Sequence, residues 1–243
     1  MKIDAKEFER LAAAQPRLDM YTGIHKALRA SMADALLNLG RADLDDEGEV
    51  AAATQRVLDL MDFCASHLKH EDEHVHRAIE ARAPGASAAV AHEHEEHLAH
   101  IDQIRTAAQG LRSARPGVRP VAASHLYRAL ALFVAENFRH MHAEETAHNS
   151  VLWARYTDAE LEQVHDALVA SIPPQEMMAT VRWMVPFMNP AERLGLLSDV
   201  RAKAPAAAFE AMLEVVRPHL TTAEWAKLAR GLGLPPAPGL VAA

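Results

Sequence analysis

Apolar side chains recur along most of this chain at three- and four-residue intervals, the spacing that places them on one face of an α-helix. Four long stretches follow this pattern, and each ends at a polar or Pro-Gly turn. The predicted helices extend roughly over residues 16–40, 47–83, 87–113 and 119–156. Short turns make consecutive helices antiparallel, so the pattern predicts an all-α fold built on an up-down-up-down four-helix bundle.

The two ends of the chain differ from this pattern. A short amphipathic helix is predicted ahead of the bundle, at about residues 5–14. From Thr157, which together with Glu160 has the spacing of a capping box, shorter helices separated by prolines follow. We therefore predict a first domain over residues 1–156 and a helical C-terminal extension over residues 157–243. We expect the extension to pack on the bundle, with binding of a protein partner or self-association as the alternative.

The composition supports an all-helical protein and excludes several functions. Half of the 243 residues are hydrophobic, only 5% are aromatic, and Ala and Leu dominate, so a large helical core can form. The net charge of −8, with basic residues scattered among acids, offers no basic surface to nucleic acid. The single cysteine allows no intramolecular disulfide. No signal-peptide core or membrane-spanning run is present, and we expect a cytoplasmic protein.

Two segments carry a histidine and a glutamate four residues apart. One runs from His67 to Glu71 and the other from His140 to Glu144. Residues four apart lie on the same face of a helix, so each pair can present an imidazole and a carboxylate to one point. Both pairs continue an apolar helical face, where a charge without a partner would be costly. This pattern indicates a metal ion.

Further histidines lie at the matching ends of the other two helices. His25 falls within the apolar face of the first helix, and either His94 or His97 faces inward from the third helix. The sequence leaves this choice open. Antiparallel packing would bring these histidines to the level of both His/Glu pairs. The candidate metal ligands are His25, His67, Glu71, His94, His97, His140 and Glu144.

The chemistry of these ligands narrows the choice of metal. Imidazole and carboxylate groups inside a helical bundle suit iron, manganese or zinc, and no thiolate in the set favours copper(I) or a structural zinc site. Other histidines nearby could orient the ligands or lie in solvent, and we expect most of them to be solvated. They are His70, His74, His76, His142 and His148.

The ordered set of motifs resembles the hemerythrin-like (HHE cation-binding) family, and the resemblance covers about residues 17–156. It implies a non-haem centre of two iron ions, with manganese or zinc as other occupants. By this resemblance Glu71 and Glu144 bridge the two ions. The terminal ligands implied are His25 and His67 on one side, and His94 and His140 on the other.

Two departures from the oxygen-carrying members of that family matter. The carriers have two histidines four residues apart on the third helix, whereas His94 and His97 are three apart. The carriers also end the fourth-helix motif in Asp, where this chain has Glu144. These features are more similar to the broad bacterial and regulatory branch of the family.

The resemblance implies a protein that binds or senses dioxygen, nitric oxide or iron itself. The alternative is a di-iron enzyme that reduces peroxide, oxidises a small substrate or supplies iron for repair. An oxidase needs an electron source, and no flavin, haem or iron–sulfur motif occurs in the sequence, which favours binding. A third interpretation is a helical interaction protein whose histidines have no metal role.

Overall fold

A computed structural model describes residues 17–235, which form helices joined by short turns. The predicted opening helix at residues 5–14 lies outside the described residues. The α-helices are α1 (Thr22–Arg41), α2 (Glu47–His70), α3 (Arg77–Arg82), α4 (Ala88–Ser113), α5 (Arg119–Ala143), α6 (Asn149–Arg155), α7 (Asp158–Ser171), α8 (Pro174–Phe187), α9 (Pro190–Lys203), α10 (Ala206–Val216) and α11 (Thr222–Gly231). Within the described part of the chain no strand occurs, so the all-α prediction is confirmed there.

Two of the long helices contain a π-helical turn. The first π turn, Glu71–His76, joins α2 to α3, and the second, Glu144–His148, joins α5 to α6. The helix therefore continues without a break from residue 47 to 82 and from 119 to 155. These spans agree closely with the predicted ones, but the hydrophobic pattern did not predict the π turns. Such turns are rare and often mark functional sites.

Side-chain caps explain where several helices begin. Asp46 accepts hydrogen bonds from the Gly48 and Glu49 backbone N–H groups at the start of α2. The predicted capping box of Thr157 and Glu160 is present at the start of α7. The first helix begins later than predicted, at Thr22 rather than near residue 16. The Asp19 carboxylate accepts hydrogen bonds from the backbone N–H groups of the next turn and so sets this start.

The four long helices enclose the main hydrophobic core. Helix α1 packs against α2 and α5, and α4 packs against the same two helices from the other side. The inward faces meet in a buried apolar cluster, and burying each large aliphatic side chain stabilises the fold by about 1.5–3 kcal/mol. Its largest fully buried members are Leu28, Met32, Leu60, Met61, Ile101, Leu111, Leu126, Leu130, Phe133 and Met141.

Helices α8 to α11 have a separate apolar cluster, which includes Val185, Leu197 and Val216. Helix α7 instead packs its Leu161 with Ile79 and Leu152 of the preceding helices. Helix α8 packs along α1. Polar contacts also join the two parts, including Lys26 Nζ with Glu192 at 2.7 Å. Over residues 17–235, no helix combines the length and the apolar character needed to cross a bilayer.

Candidate metal centre

Six of the predicted ligands meet in the interior, where the inward faces of the four long helices change from apolar to polar. Histidines come from α1, α2, α4 and α5, and each π turn opens with a glutamate at its first position. The side chains are almost fully buried: none is more than 8% exposed. The six are His25, His67, Glu71, His94, His140 and Glu144.

One half of the cluster contains His25 and His67. The Nε2 atom of His67 lies 3.2 Å from Glu71 Oε1. The Nε2 atom of His25 lies 3.6 Å from the same oxygen and 3.4 Å from Glu144 Oε2. Together with one oxygen of each glutamate, the two imidazoles surround a single point and can hold one ion.

The other half contains His94 and His140. The Nε2 atom of His94 lies 3.6 Å from Glu71 Oε2 and 3.4 Å from Glu144 Oε1. The Nε2 atom of His140 lies 3.2 Å from Glu144 Oε1. This second group of four can also hold one ion. Each glutamate thus turns one oxygen toward each histidine pair, so the two groups share both carboxylates.

Acidic side chains hold the outer nitrogens of three of these histidines. His25 Nδ1 lies 3.1 Å from Glu145 Oε1, and Arg29 binds both oxygens of that carboxylate at 2.6 and 3.0 Å. His94 Nδ1 lies 2.7 Å from Asp72 Oδ1, and His140 Nδ1 lies 2.8 Å from Glu93 Oε2. A proton on Nδ1 leaves the inward Nε2 lone pair free, the tautomer that a metal ligand needs.

The protonation equilibria of the two glutamates differ. Burial, followed by the nearby charge of Glu144, raises the pKa of Glu71 well above its ordinary value. Burial also acts to raise the pKa of Glu144, but hydrogen bonds from His140 and His94 hold it well below the usual range. Burial and the neighbouring His25 lower the pKa of His67. Without a cation, burial and the second carboxylate therefore favour the protonated form of Glu71, and burial favours the neutral form of His67.

Many polar atoms in this cluster have no hydrogen-bond partner. They include the Nε2 atoms of His25 and His67, both oxygens of Glu71 and Oε2 of Glu144. An unsatisfied buried polar group costs about 1–3 kcal/mol, so several at one place need an explanation. These five atoms belong to residues of the two groups of four. A metal ion within each group would give all five a partner, so this donor set fits two cations.

Comparison with known proteins identifies the family. A family model described as the hemerythrin HHE cation binding domain matches residues 17–148, more than half of the chain. The chain belongs to this family. The resemblance predicted from the sequence is thus confirmed. Searches of curated proteins and of solved structures found no significant match.

Within the hemerythrin domain, His97 lies outside both groups of four. It is buried, and its ring packs edge-on against His140 and Phe133, with ring centroids 4.7 and 6.0 Å away. Burial and the charge of His140 lower its pKa to about 4. Of the two candidates on the third long helix, His94 is the one that the structure brings into the cluster.

The prediction that most of the other histidines of the hemerythrin domain are solvated is wrong for three of them. His70, His76 and His148 are only 8%, 5% and 1% exposed. His70 Nε2 lies 2.8 Å from Glu176 Oε1 on α8, a partner far along the chain that no local spacing reveals. His74 is half-buried and His142 is exposed.

The π turn that begins at Glu71 explains why the inward direction of His76 was not predicted, whereas His148, four positions after Glu144, shares the face of Glu144 by α-helical spacing alone. At about 100° per residue, an α-helix directs a side chain five positions on about 140° away from the first, so Glu71 and His76 would face different directions. The wider i→i+5 turn brings both inward. Sequence reasoning also missed the carboxylates that hold the outer nitrogens, because their contacts join residues 22 to 120 positions apart.

Proposed function

We propose that the residues up to 156 form an up-down-up-down four-helix bundle whose two groups of four each bind one iron ion. We propose further that this non-haem centre binds or senses dioxygen, nitric oxide or iron itself. Manganese or zinc would suit the same ligands. One observation carries the proposal: each of the two glutamates has one carboxylate oxygen near one histidine pair and its other oxygen near the other pair.

The bundle geometry is supported by the helix contacts and by the level at which the ligands meet. Helices α1, α2, α4 and α5 contact in a closed ring and are joined by short turns. Histidines near the starts of α1 and α4 meet histidines near the ends of α2 and α5, as antiparallel neighbours require. The end of α6 at Arg155 and the Thr157 cap of α7 support a boundary after residue 156.

The local charge also suits two divalent ions. Glu71 and Glu144 lie between the histidines, and three more carboxylates hold the histidines from outside: Asp72, Glu93 and Glu145. Among the residues that the structure describes, Arg29 is the one guanidinium paired with this set. With all carboxylates ionised, four net negative charges surround the centre, and two divalent ions neutralise them. Neutralisation removes the repulsion between the buried glutamates.

In this proposal each part of the chain has a defined role. His25 and His67 would hold one ion and His94 and His140 the other, with Glu71 and Glu144 shared. The bound ions would supply redox chemistry and coordination positions for a small ligand. The carboxylates on Nδ1 orient the imidazoles. The apolar core directly below, which includes Leu60 and Phe133, keeps bulk water away and favours small uncharged ligands.

Metal content and the visible spectrum test the proposal. After anaerobic reconstitution with ferrous iron, we expect two irons per chain and a new charge-transfer band when air is admitted. Glu71→Ala should reduce iron content sharply, whereas His92→Ala, which removes an exposed histidine, should not. No bound iron, or one weakly held zinc, would refute the two-ion centre. Reversible oxygen uptake supports binding or sensing, and consumption over many turnovers supports the enzymatic alternative.

A further inference from the structure

Two buried histidines of the π turns are not used by the two groups of four. His76 ends the first π turn and His148 ends the second. Their rings meet edge to face with centroids 5.2 Å apart, and His76 also stacks on His94 at 4.7 Å. Both rings therefore lie directly beside the proposed centre.

The outer nitrogens of these two histidines lie near polar groups, as they do in the proposed ligands. His76 Nδ1 lies 2.9 Å from Asp72 Oδ1, the atom that also binds His94, at ion-pair distance but without hydrogen-bond geometry. His148 Nδ1 lies 3.1 Å from the Tyr21 hydroxyl, which is itself buried. A proton on each Nδ1 would leave both Nε2 lone pairs free to bind a cation.

The inner nitrogens converge on a third point. Neither His76 Nε2 nor His148 Nε2 has a hydrogen-bond partner, although both are buried. With a carboxylate oxygen of Glu144 they form a set whose ligand atoms all lie within 4.8 Å of one another, and neither histidine joins a group of four. We propose that His76, His148 and Glu144 form a third cation site, for a divalent transition metal, beside the two-ion centre.

The donor set and the local charge define this third site. Two imidazole nitrogens and one carboxylate oxygen suit Fe²⁺, Mn²⁺, Co²⁺ or Zn²⁺, and disfavour Ca²⁺ and Mg²⁺, which require mainly oxygen ligands. The surrounding negative charge is already neutralised by two divalent ions, and Glu144 is shared. The third ion is therefore held more weakly than the other two and exchanges first. The site rests on the proposed function only through Glu144.

Cobalt binding tests the third site. Equilibrium dialysis of the full chain against increasing Co²⁺, with metal counted per chain, should show two tightly bound ions and a third at least tenfold weaker. His148→Phe and His76→Phe keep a ring in the core but remove the donor atoms, and each should lose only the weak ion. His92→Phe, at an exposed position, should keep all three. Folding of every variant is checked by its thermal melt.

The outcomes separate this proposal from the two-ion centre. Two ions in both the wild type and the Phe variants would overturn the third site and leave the proposed function intact. Loss of a tight ion from His148→Phe would also overturn it, because His148 would then belong to the two-ion centre. Glu71→Ala should lose tight ions but keep the weak one. If neither Phe variant folds, anomalous diffraction from Co²⁺-loaded wild-type crystals decides, by showing a peak between His76 and His148 or none.

Discussion

The carboxylates that hold the histidines from outside offer a paired test of the metal centre. Asp72 binds His94 Nδ1 at 2.7 Å, and Glu145 binds His25 Nδ1 at 3.1 Å, so the two carboxylates act on opposite ions of the proposed pair. We change them one at a time, in Asp72→Asn and Glu145→Gln. Both changes keep the side-chain shape and remove the charge. Each variant should weaken the binding of one ion and leave the binding of the other unchanged.

The expected magnitude follows from the role of these contacts. Losing an outer partner of a metal-bound histidine typically lowers metal affinity 10- to 100-fold, or about 1.4–2.7 kcal/mol. Asp72→Asn should show the larger effect, because its hydrogen bond is shorter and Asp72 also lies near His76. The effect of Glu145→Gln should be smaller, because Arg29 binds both oxygens of that carboxylate and shares its charge.

The assay is a Co²⁺ titration in competition with a chelator, followed by absorption bands of the bound ion. The wild type should give two tight steps, and each variant should keep one at wild-type affinity and weaken the other. His94→Gln should abolish the step that Asp72→Asn weakens, and His25→Gln the step that Glu145→Gln weakens. Glu95→Gln, at an exposed position on α4, is the control and should change neither step.

Two results would refute this reasoning. If Asp72→Asn and Glu145→Gln weakened the same step, the two histidines would bind the same ion, and the division of the cluster into two halves would be wrong. If neither variant changed either affinity while both folded normally, the outer carboxylates would not orient the ligands. A uniform loss of thermal stability without any change in metal affinity would assign them a purely structural role.

Three further predictions concern the metal-free protein. Burial lowers the pKa of His97 to about 4, so between about pH 6.5 and 4 the unfolded chain binds a proton at this histidine and the folded chain does not. The free energy of unfolding should therefore fall by up to about 3 kcal/mol as the pH is lowered through this range. Denaturant melts of His97→Phe at several pH values should lack this part of the pH dependence. Phe133→Ala should cost about 3–5 kcal/mol in the same melts, whereas Phe138→Ala, 39% exposed, should cost far less. Burial raises the pKa of Cys64 to about 12, so Ellman's reagent at pH 8 should label it only after unfolding; rapid labelling of the folded chain would contradict its burial.

The helical spans could be predicted because their signals are local. The apolar spacing of Leu126, Leu130 and Phe133 fixes one buried face of α5, and all three side chains are buried in the core. Caps such as Asp46 and the Thr157 box mark helix starts within three residues of sequence. The start of α1 was missed because hydrogen bonds from the backbone to the Asp19 carboxylate, rather than the apolar pattern, determine it.

The candidate site could be predicted only as far as helical spacing reaches. His67 and Glu71 are four apart and end an apolar face, so their convergence follows from one helix. The choice between His94 and His97 depends on how α4 rotates against its neighbours, which is a tertiary property that spacing does not determine. The same holds for Glu176 as the partner of His70, since this contact depends on how α8 packs.

At the two π turns the backbone departs from the α-helical geometry that it would adopt by itself, and both departures lie at the candidate metal centre. An α-helical continuation from Glu71 or Glu144 would satisfy the backbone with better geometry, yet both helices widen at the residue that the two groups of four share. The widening at Glu71 brings His76 inward beside His148, and the two histidines add unpaired nitrogens to a region that already holds several unpaired polar atoms. In the metal-free chain these features only cost free energy. If cations occupy the interior, the π turns and the unpaired polar atoms have one common explanation, because each inward nitrogen and oxygen then has a partner.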